Sequence, residues 1–201
     1  MPSRDERRRH YDTFVDHVRI LCRTPRIRRA LEEGHGRPVK QCRRMDPYLI
    51  KPSAGYGARR AHYTTASLIA LERPATDWTG APPSDQLPQQ SSPDPLPSAP
   101  SPVADWARRP TLGRTLARAA HAHPHAAPGL QRELEVMGVL SADLLHGRLP
   151  HTVRRLLHLG AVCDFAVLLE DLAQWDFDPL DVAGRWRHDF FLTVPDTLLE
   201  L

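Results

Sequence analysis

Apolar residues recur along this chain at intervals of three and four, the spacing that keeps one face of a helix out of water. Tyr11, Phe14, Val15, Val18, Leu21 and Cys22 predict a helix over about 5–23, with one packed face and an arginine-rich wet face. Thr24-Pro25 then offers an N-cap with proline at the first helical position, and Gly34 closes the short helix that carries Ile27, Ala30 and Leu31. Val39, Cys42 and Met45 predict a third helical segment, stopped by Pro47, with Arg43 and Arg44 pointing away. A more apolar helix over 58–72 buries Ala61, Thr65, Leu68 and Ile69. Its first turn holds Arg59 and Arg60 at the positive end of the helix dipole, so these two need an anion nearby.

The pattern returns at Thr111, whose hydroxyl suits a cap for a helix that buries Leu112 and Leu116 and shows Arg114 and Arg118 one turn apart. The tract HAHPHAAPG breaks it. The next helix is predicted over about 130–145, with Leu134, Met137, Leu140, Leu144 and Leu145 inward. Pro150 starts another, in which Val153, Leu156 and Leu157 pack while Arg154 and Arg155 flank them. Asp164 caps FAVLLEDLAQW, with Leu168, Leu169, Leu172 and Trp175 inward, and Asp178-Pro179 starts a last helix that stacks Val182, Trp186 and Phe190. Six of the 13 aromatic residues lie in 161–201, which predicts the tighter core there.

Between these two runs, 73–104 is Pro, Ser, Gln, Asp and Ala with almost nothing to bury, and ten of the 20 prolines fall between Pro74 and Pro110. The reading is a disordered tether of polyproline type, flanked by Trp78 and Trp106, each expected to tuck onto its nearest helix. The organisation predicted is a basic N-terminal helical part (1–73), a linker (74–106) and a C-terminal helical bundle (107–201). Leu (26) and Ala (22) far outnumber Val (11) and Ile (4), so the fold class is all-α.

The net charge of +3 conceals four alternating blocks: +9 over 1–73, −4 over 74–106, +5 over 107–160 and −7 over 161–201. Only Lys40 and Lys51 are lysine among 27 basic residues. Coding bias accounts for arginine over lysine but not for the clustering, and clustered guanidinium, which forks onto phosphate, points to a polyanion partner.

Nothing in the chain supports catalysis. His121, His123 and His125 lie in a loop with no cysteine beside them, which reads as solvated rather than as a metal site. Phosphate-cradling and nucleophile-elbow motifs are absent, and no cofactor is expected. Asp164, Asp171, Asp176, Asp178 and Asp181 read as caps and exposed turns. Cys22, Cys42 and Cys163 are odd in number and never paired as C-x-x-C, so they read as reduced, mostly buried thiols. No apolar run approaches the roughly 18–20 residues of a membrane span, and the start MPSRDERRRHYD lacks a signal-peptide core, so a cytoplasmic protein with no membrane partner is expected.

The stretch LPHTVRRLLHLGAVCDFAVLLEDLAQWD, followed by RWRHDFF, resembles the CasB family, the small subunit of the type I-E CRISPR surveillance complex called Cascade. TLGRTLARA is similar to that family's Leu-Gly-x-x-Leu helix start, and YDTFVDHVRILC, RRALEEG, CRRMDPYL and AHYTTASLIALE to its N-terminal helices. The likeness covers roughly 10–73 and 111–193. It departs at 74–104, a long Pro-rich tether where many members have a short connection.

The resemblance implies an all-helical, non-catalytic subunit, usually in two copies, lying beside the guide-bearing backbone subunits. Its basic face would stabilise the R-loop and the displaced DNA strand without reading sequence, an exchange of duplexes that backbone contacts can tip. By motif match the expected phosphate contacts are Arg28, Arg29, Arg43, Arg114, Arg154 and Arg155, with Arg118 and Arg44 as further candidates. The acidic residues of 161–201 are expected to face other subunits or solvent. Two other readings suit the composition: a stand-alone helical DNA-binding regulator, for which no helix-turn-helix is evident, and a basic helical adaptor for acidic proteins.

Overall fold

A computed structural model describes residues 2–72 and 106–195; the tether and Trp78 lie outside the described residues. Among these the chain is all helix with no strand: α1 (Arg4–Cys22), α2 (Pro25–Glu32), α3 (Asp46–Ser53), α4 (Arg59–Ile69), α5 (Leu112–Ala122), α6 (Ala127–Met137), α7 (Ala142–His158), α8 (Phe165–Trp175) and α9 (Pro179–Thr193). Short 3-10 turns occupy Val39–Gln41, Trp106–Arg108 and Pro124–Ala126. No helix among them is long and apolar enough to cross a membrane.

The starts of the helices are written in their caps. Ser3 and Glu6 form a reciprocal capping box on α1 (Glu6 N to Ser3 Oγ 3.2 Å, Ser3 N to Glu6 Oε2 2.6 Å). Asp164 accepts from the Ala166 and Val167 amides, Asp178 from the Asp181 amide, and Thr111 from the Arg114 amide, as the sequence predicts. Each fixes where one helix begins, and so which residues its apolar face presents.

α8 is apolar on nearly every side and buried through Phe165–Leu169, Leu172 and Trp175. It packs on α1 and α4 from the N-terminal stretch and on α9 from the C-terminal one, and the buried side chains of the described residues join in one core. α5 and α9 pack closest of all, because Gly113 lets the α5 backbone lie against the carbonyl of Trp186. Trp186 in turn donates its indole N–H to Asp171 (2.7 Å), which lies wholly buried in mid-α8 beside Arg185 (3.1 Å). Asp171 is therefore a core residue rather than a cap or an exposed turn; its burial pushes its carboxyl up to about 6.

Three predicted boundaries move. Val39–Met45 is a 3-10 turn followed by irregular chain; Cys42 and Met45 are buried as predicted, but Pro47 sits in the first turn of α3 instead of stopping a helix. Gly138 ends α6 and Ser141 begins α7, so the predicted 130–145 helix is two helices. Leu145 is buried while Leu144 is 62% exposed, because the break resets the register. Pro150 lies inside α7: it removes one backbone donor, yet the helix runs on because Leu149, Val153 and Leu156 are held in the core.

Five of the seven acids in 161–195 bond to the chain's own arginines instead of facing other subunits or solvent. Asp164 pairs with Arg109 (2.6 Å), Glu170 with Arg8 (3.1 Å) and Arg4 (3.4 Å), Asp171 and Asp181 with Arg185, and Asp189 with Arg114 (3.6 Å). The anions that the first turn of α4 requires are also internal: Asp46 for Arg59 (3.1 Å) and Asp143 for Arg60 (2.5 Å).

The α5–α9 contact gives a clean test by thermal unfolding. Gly113→Ala drives a methyl into the Trp186 carbonyl and is expected to cost about 1–3 kcal/mol. Gly184→Ala, in an α9 position with nothing within 4 Å, is expected to gain about 0.5–1 kcal/mol.

Candidate nucleic-acid interface

α2 carries three arginines, and its 3.6-residue turn sends two of the predicted contacts in different directions. Arg28 folds inward: its Nε donates to the Ala70 carbonyl (2.9 Å) and its Nη2 to the Glu72 carbonyl (2.5 Å), so it caps the end of α4. Arg29 is exposed and pairs with no carboxylate among the described residues.

The chain after α2 turns tightly at Gly34 and Gly36. Gly34 packs against the Met45 side chain, and Gly36, at a φ of +67°, brings the loop within contact of the α7 backbone at Gly147. Cys42 and Met45 anchor the following segment in the core, which leaves Arg37, Lys40, Arg43 and Arg44 exposed. With Glu33 they line a shallow groove of about 420 Å³. Arg44 reaches Glu33 (2.5 Å), while Arg43 has no carboxylate partner among the described residues.

Across this loop, His35 ties α7 to α4. Its Nε2 donates to the Ser67 carbonyl (2.7 Å), which leaves Nδ1 as the acceptor for the Arg154 guanidinium (3.2 Å). Burial first, then the Arg154 charge, lowers the His35 pKa and keeps the ring neutral for that role. Arg43 on the groove and Arg154 on His35 therefore meet the 33–37 loop from two separate segments, and Arg29 lies on the helix that leads into it, one turn before Glu33.

The other two predicted contacts are engaged elsewhere. Arg155 is half-buried over Gly129 and donates to the Ala126 carbonyl (3.5 Å). Arg114 is partly buried between Asp189 and the Arg108 carbonyl (3.3 Å). Arg118 is exposed on α5 and makes no ion pair with a described residue, but α5 contributes nothing to the groove. Arg37 and Lys40 are the residues sequence reasoning missed; the signal available was their spacing around the two buried anchors, Cys42 and Met45.

No group of three or more His, Cys, Asp or Glu among the described residues is placed to hold a metal. His121, His123 and His125 are exposed, and His123 is hydrogen-bonded to the Leu159 carbonyl (3.0 Å). Burial pushes the Cys22 thiol up to about 11 and the Cys163 thiol up to about 12, so neither is a thiolate at neutral pH.

The described residues form an all-α protein with exposed arginines on several helices, of which Arg43 lines the groove and Arg154 is hydrogen-bonded to the 33–37 loop beside it. Residues 26–191 match the family model of the CRISPR-associated protein Cse2, and the chain belongs to that family, of which CasB is another name. Two solved structures share the fold. One is a chain of a "CRISPR RNA-guided surveillance complex" (23% identity, TM-score 0.72, covering 96% of this chain and 98% of that one). The other is a chain of a "CRISPR RNA-guided surveillance complex, pre-nicking" (24% identity, TM-score 0.71, covering 96% and 97%). Comparison with curated protein sequences finds no match.

The inward and outward arginines of α2 separate in a stability measurement. Arg28→Ala strips two carbonyls at the end of α4 of their donor and is expected to cost about 1–3 kcal/mol in denaturant unfolding. Arg29→Ala is expected to stay within about 0.5 kcal/mol of wild type.

Proposed function

We propose that this chain is the small, non-catalytic subunit of a type I-E CRISPR surveillance complex, where it works in the cytoplasm beside the other Cascade subunits and a second copy of itself. It binds nucleic acid through phosphates, without sequence preference, and stabilises the R-loop and the displaced DNA strand. The observation that carries the reading is that Arg43 and Arg154 meet the 33–37 loop from two separate segments, with Arg29 on the helix leading into it, each exposed and without a carboxylate partner among the described residues. Guanidinium groups left unneutralised by their own chain suit a polyanion, and their placement on three separate segments suits a tracked backbone better than a base-reading helix. Family membership supplies the setting. Arg28, Arg114 and Arg155 are engaged by carbonyls and carboxylates of their own chain, which makes them weaker candidates for phosphate.

R-loop formation is a near-balanced exchange, so a contribution of about 1.4 kcal/mol changes R-loop lifetime about tenfold. The test is to assemble the remaining type I-E subunits with guide RNA and target, with and without this chain, and to measure incorporation and R-loop lifetime. Stoichiometric incorporation is expected, with a lifetime about tenfold shorter when the chain is omitted. Arg29→Glu, Arg43→Glu and Arg154→Glu together are expected to match omission while the chain stays in the complex. Equal lifetimes with and without the chain contradict the proposal.

A further inference from the structure

Five of the seven acids in 161–195 are paired internally, and the two left over, Asp176 and Asp178, sit side by side in sequence with an aromatic residue between them. That residue, Phe177, is 86% exposed, and Leu180 just beyond it is 79% exposed, at the tip where α8 turns into α9. Exposed large apolar side chains this close together mark interaction sites when the chain that carries them is rigid. Here it is. The Phe177 and Asp178 amides both donate to the Gln174 carbonyl (2.9 Å each), the Asp178 side chain caps α9 at the Asp181 amide (3.1 Å), and Pro179 fixes the first turn. Among the described residues nothing covers the ring, although a cleft of about 610 Å³ walled by Tyr11, Tyr56 and Ala173 lies beside it.

We propose that this tip, Asp176-Phe177-Asp178-Pro179-Leu180, is a docking plug that inserts Phe177 and Leu180 into an apolar pocket with a cationic rim on a different protein subunit of the complex. The inference rests on the subunit reading above. Charge selects the occupant. Two unpaired carboxylates beside the ring repel a phosphate backbone, so the ring does not serve as a base-stacking platform. A two-fold pairing of tips sets Asp176 and Asp178 against their own copies, which excludes a symmetric second copy on the same patch. A cation-rimmed pocket satisfies both the acids and the ring, and a pre-ordered aromatic anchor is the residue type that dominates such interfaces.

The test uses the full chain with Phe177→Ser, and separately with Asp176→Lys, a position whose side chain makes no hydrogen bond or ion pair with a described residue. Both variants are expected to keep the helical signal and the thermal midpoint of wild type, and Phe177→Ser also its single-stranded DNA affinity. Phe177→Ser is expected to join the complex about 30-fold more weakly, and Asp176→Lys to weaken joining most at low salt. Wild-type joining by both variants overturns the plug while leaving the subunit reading in place. So does a loss of single-stranded DNA affinity in Phe177→Ser, which assigns the ring to a base. So does a native mass in which isolated wild type self-associates and Phe177→Ser does not, with incorporation unchanged, which assigns it to a second copy. A wild-type chain that fails to join a complex otherwise competent to assemble overturns the subunit reading, and this one with it.

Discussion

Glu170 is where the two halves of this sequence are tied. Its carboxylate accepts the Trp106 indole N–H (2.6 Å) and the guanidinium of Arg8 (3.1 Å), with Arg4 at 3.4 Å. Arg109 lies 4.4 Å over the Trp106 ring on one side, with Arg8 5.0 Å from it, and bridges Asp12 of α1 (2.6 Å) to Asp164 at the start of α8 (2.6 Å). One buried indole, three carboxylates and the guanidiniums around them thus fix α1, α8 and the 106–108 turn against one another. Apart from the exposed Arg4, each charge gives up most of its water and recovers charge-assisted hydrogen bonds, so removing one of these members leaves a part-buried partner unsatisfied. Trp106 tucks onto the helices as its position after the tether predicts, and it does so as the centre of an ion network rather than as a simple hydrophobic anchor.

The same logic sorts the arginines. A chain with 27 basic residues, all but two of them arginine, folds by spending many guanidiniums on its own carboxylates and on carbonyls at helix ends. The alternation of basic and acidic blocks is a pairing device, with the acidic block of 161–195 neutralising arginines from 4–8, 109–114 and 185. Among the described residues this leaves Arg29, Arg43 and Arg154 exposed and without a carboxylate partner, as it does Arg23, Arg26, Arg37, Arg118, Arg132 and Arg187, and it leaves Asp176 and Asp178 without a cation at the α8–α9 tip. The proposed phosphate face and the proposed protein-docking tip accordingly lie on different helices.

Fold class and most core positions were legible in the sequence because helical periodicity and caps are local. Asp164, Asp178 and Thr111 announce their helices, and Tyr11, Phe14, Leu116, Leu172 and Trp186 declare their faces. Pro150 misled because proline disfavours a helix interior locally, while the core on either side holds α7 together. Pro47 misled in the other sense, since proline starts a helix as readily as it stops one. Which of the predicted arginines stay exposed was only partly legible, for a similar reason. Arg28 and Arg29 are neighbours with equal local claims, and only the end of α4, some 42 residues away in sequence, decides that Arg28 turns in. Arg114 and Arg155 are likewise claimed by partners remote in sequence. Arg37 and Lys40 were missed because the segment carrying them follows no helical period.

The central claim is that arginines left unpaired by the fold, not arginines in general, meet phosphate. It is tested most directly by the salt dependence of single-stranded DNA binding. Each phosphate contact on a single strand contributes about 0.7 to the log–log slope. Alanine at Arg29, Arg43 and Arg154 together should reduce the magnitude of that slope by about 2, whereas alanine at Arg114 and Arg155 should leave it unchanged in protein that remains folded. An unchanged slope in the triple variant, or an equal loss from Arg114 and Arg155, would contradict the account.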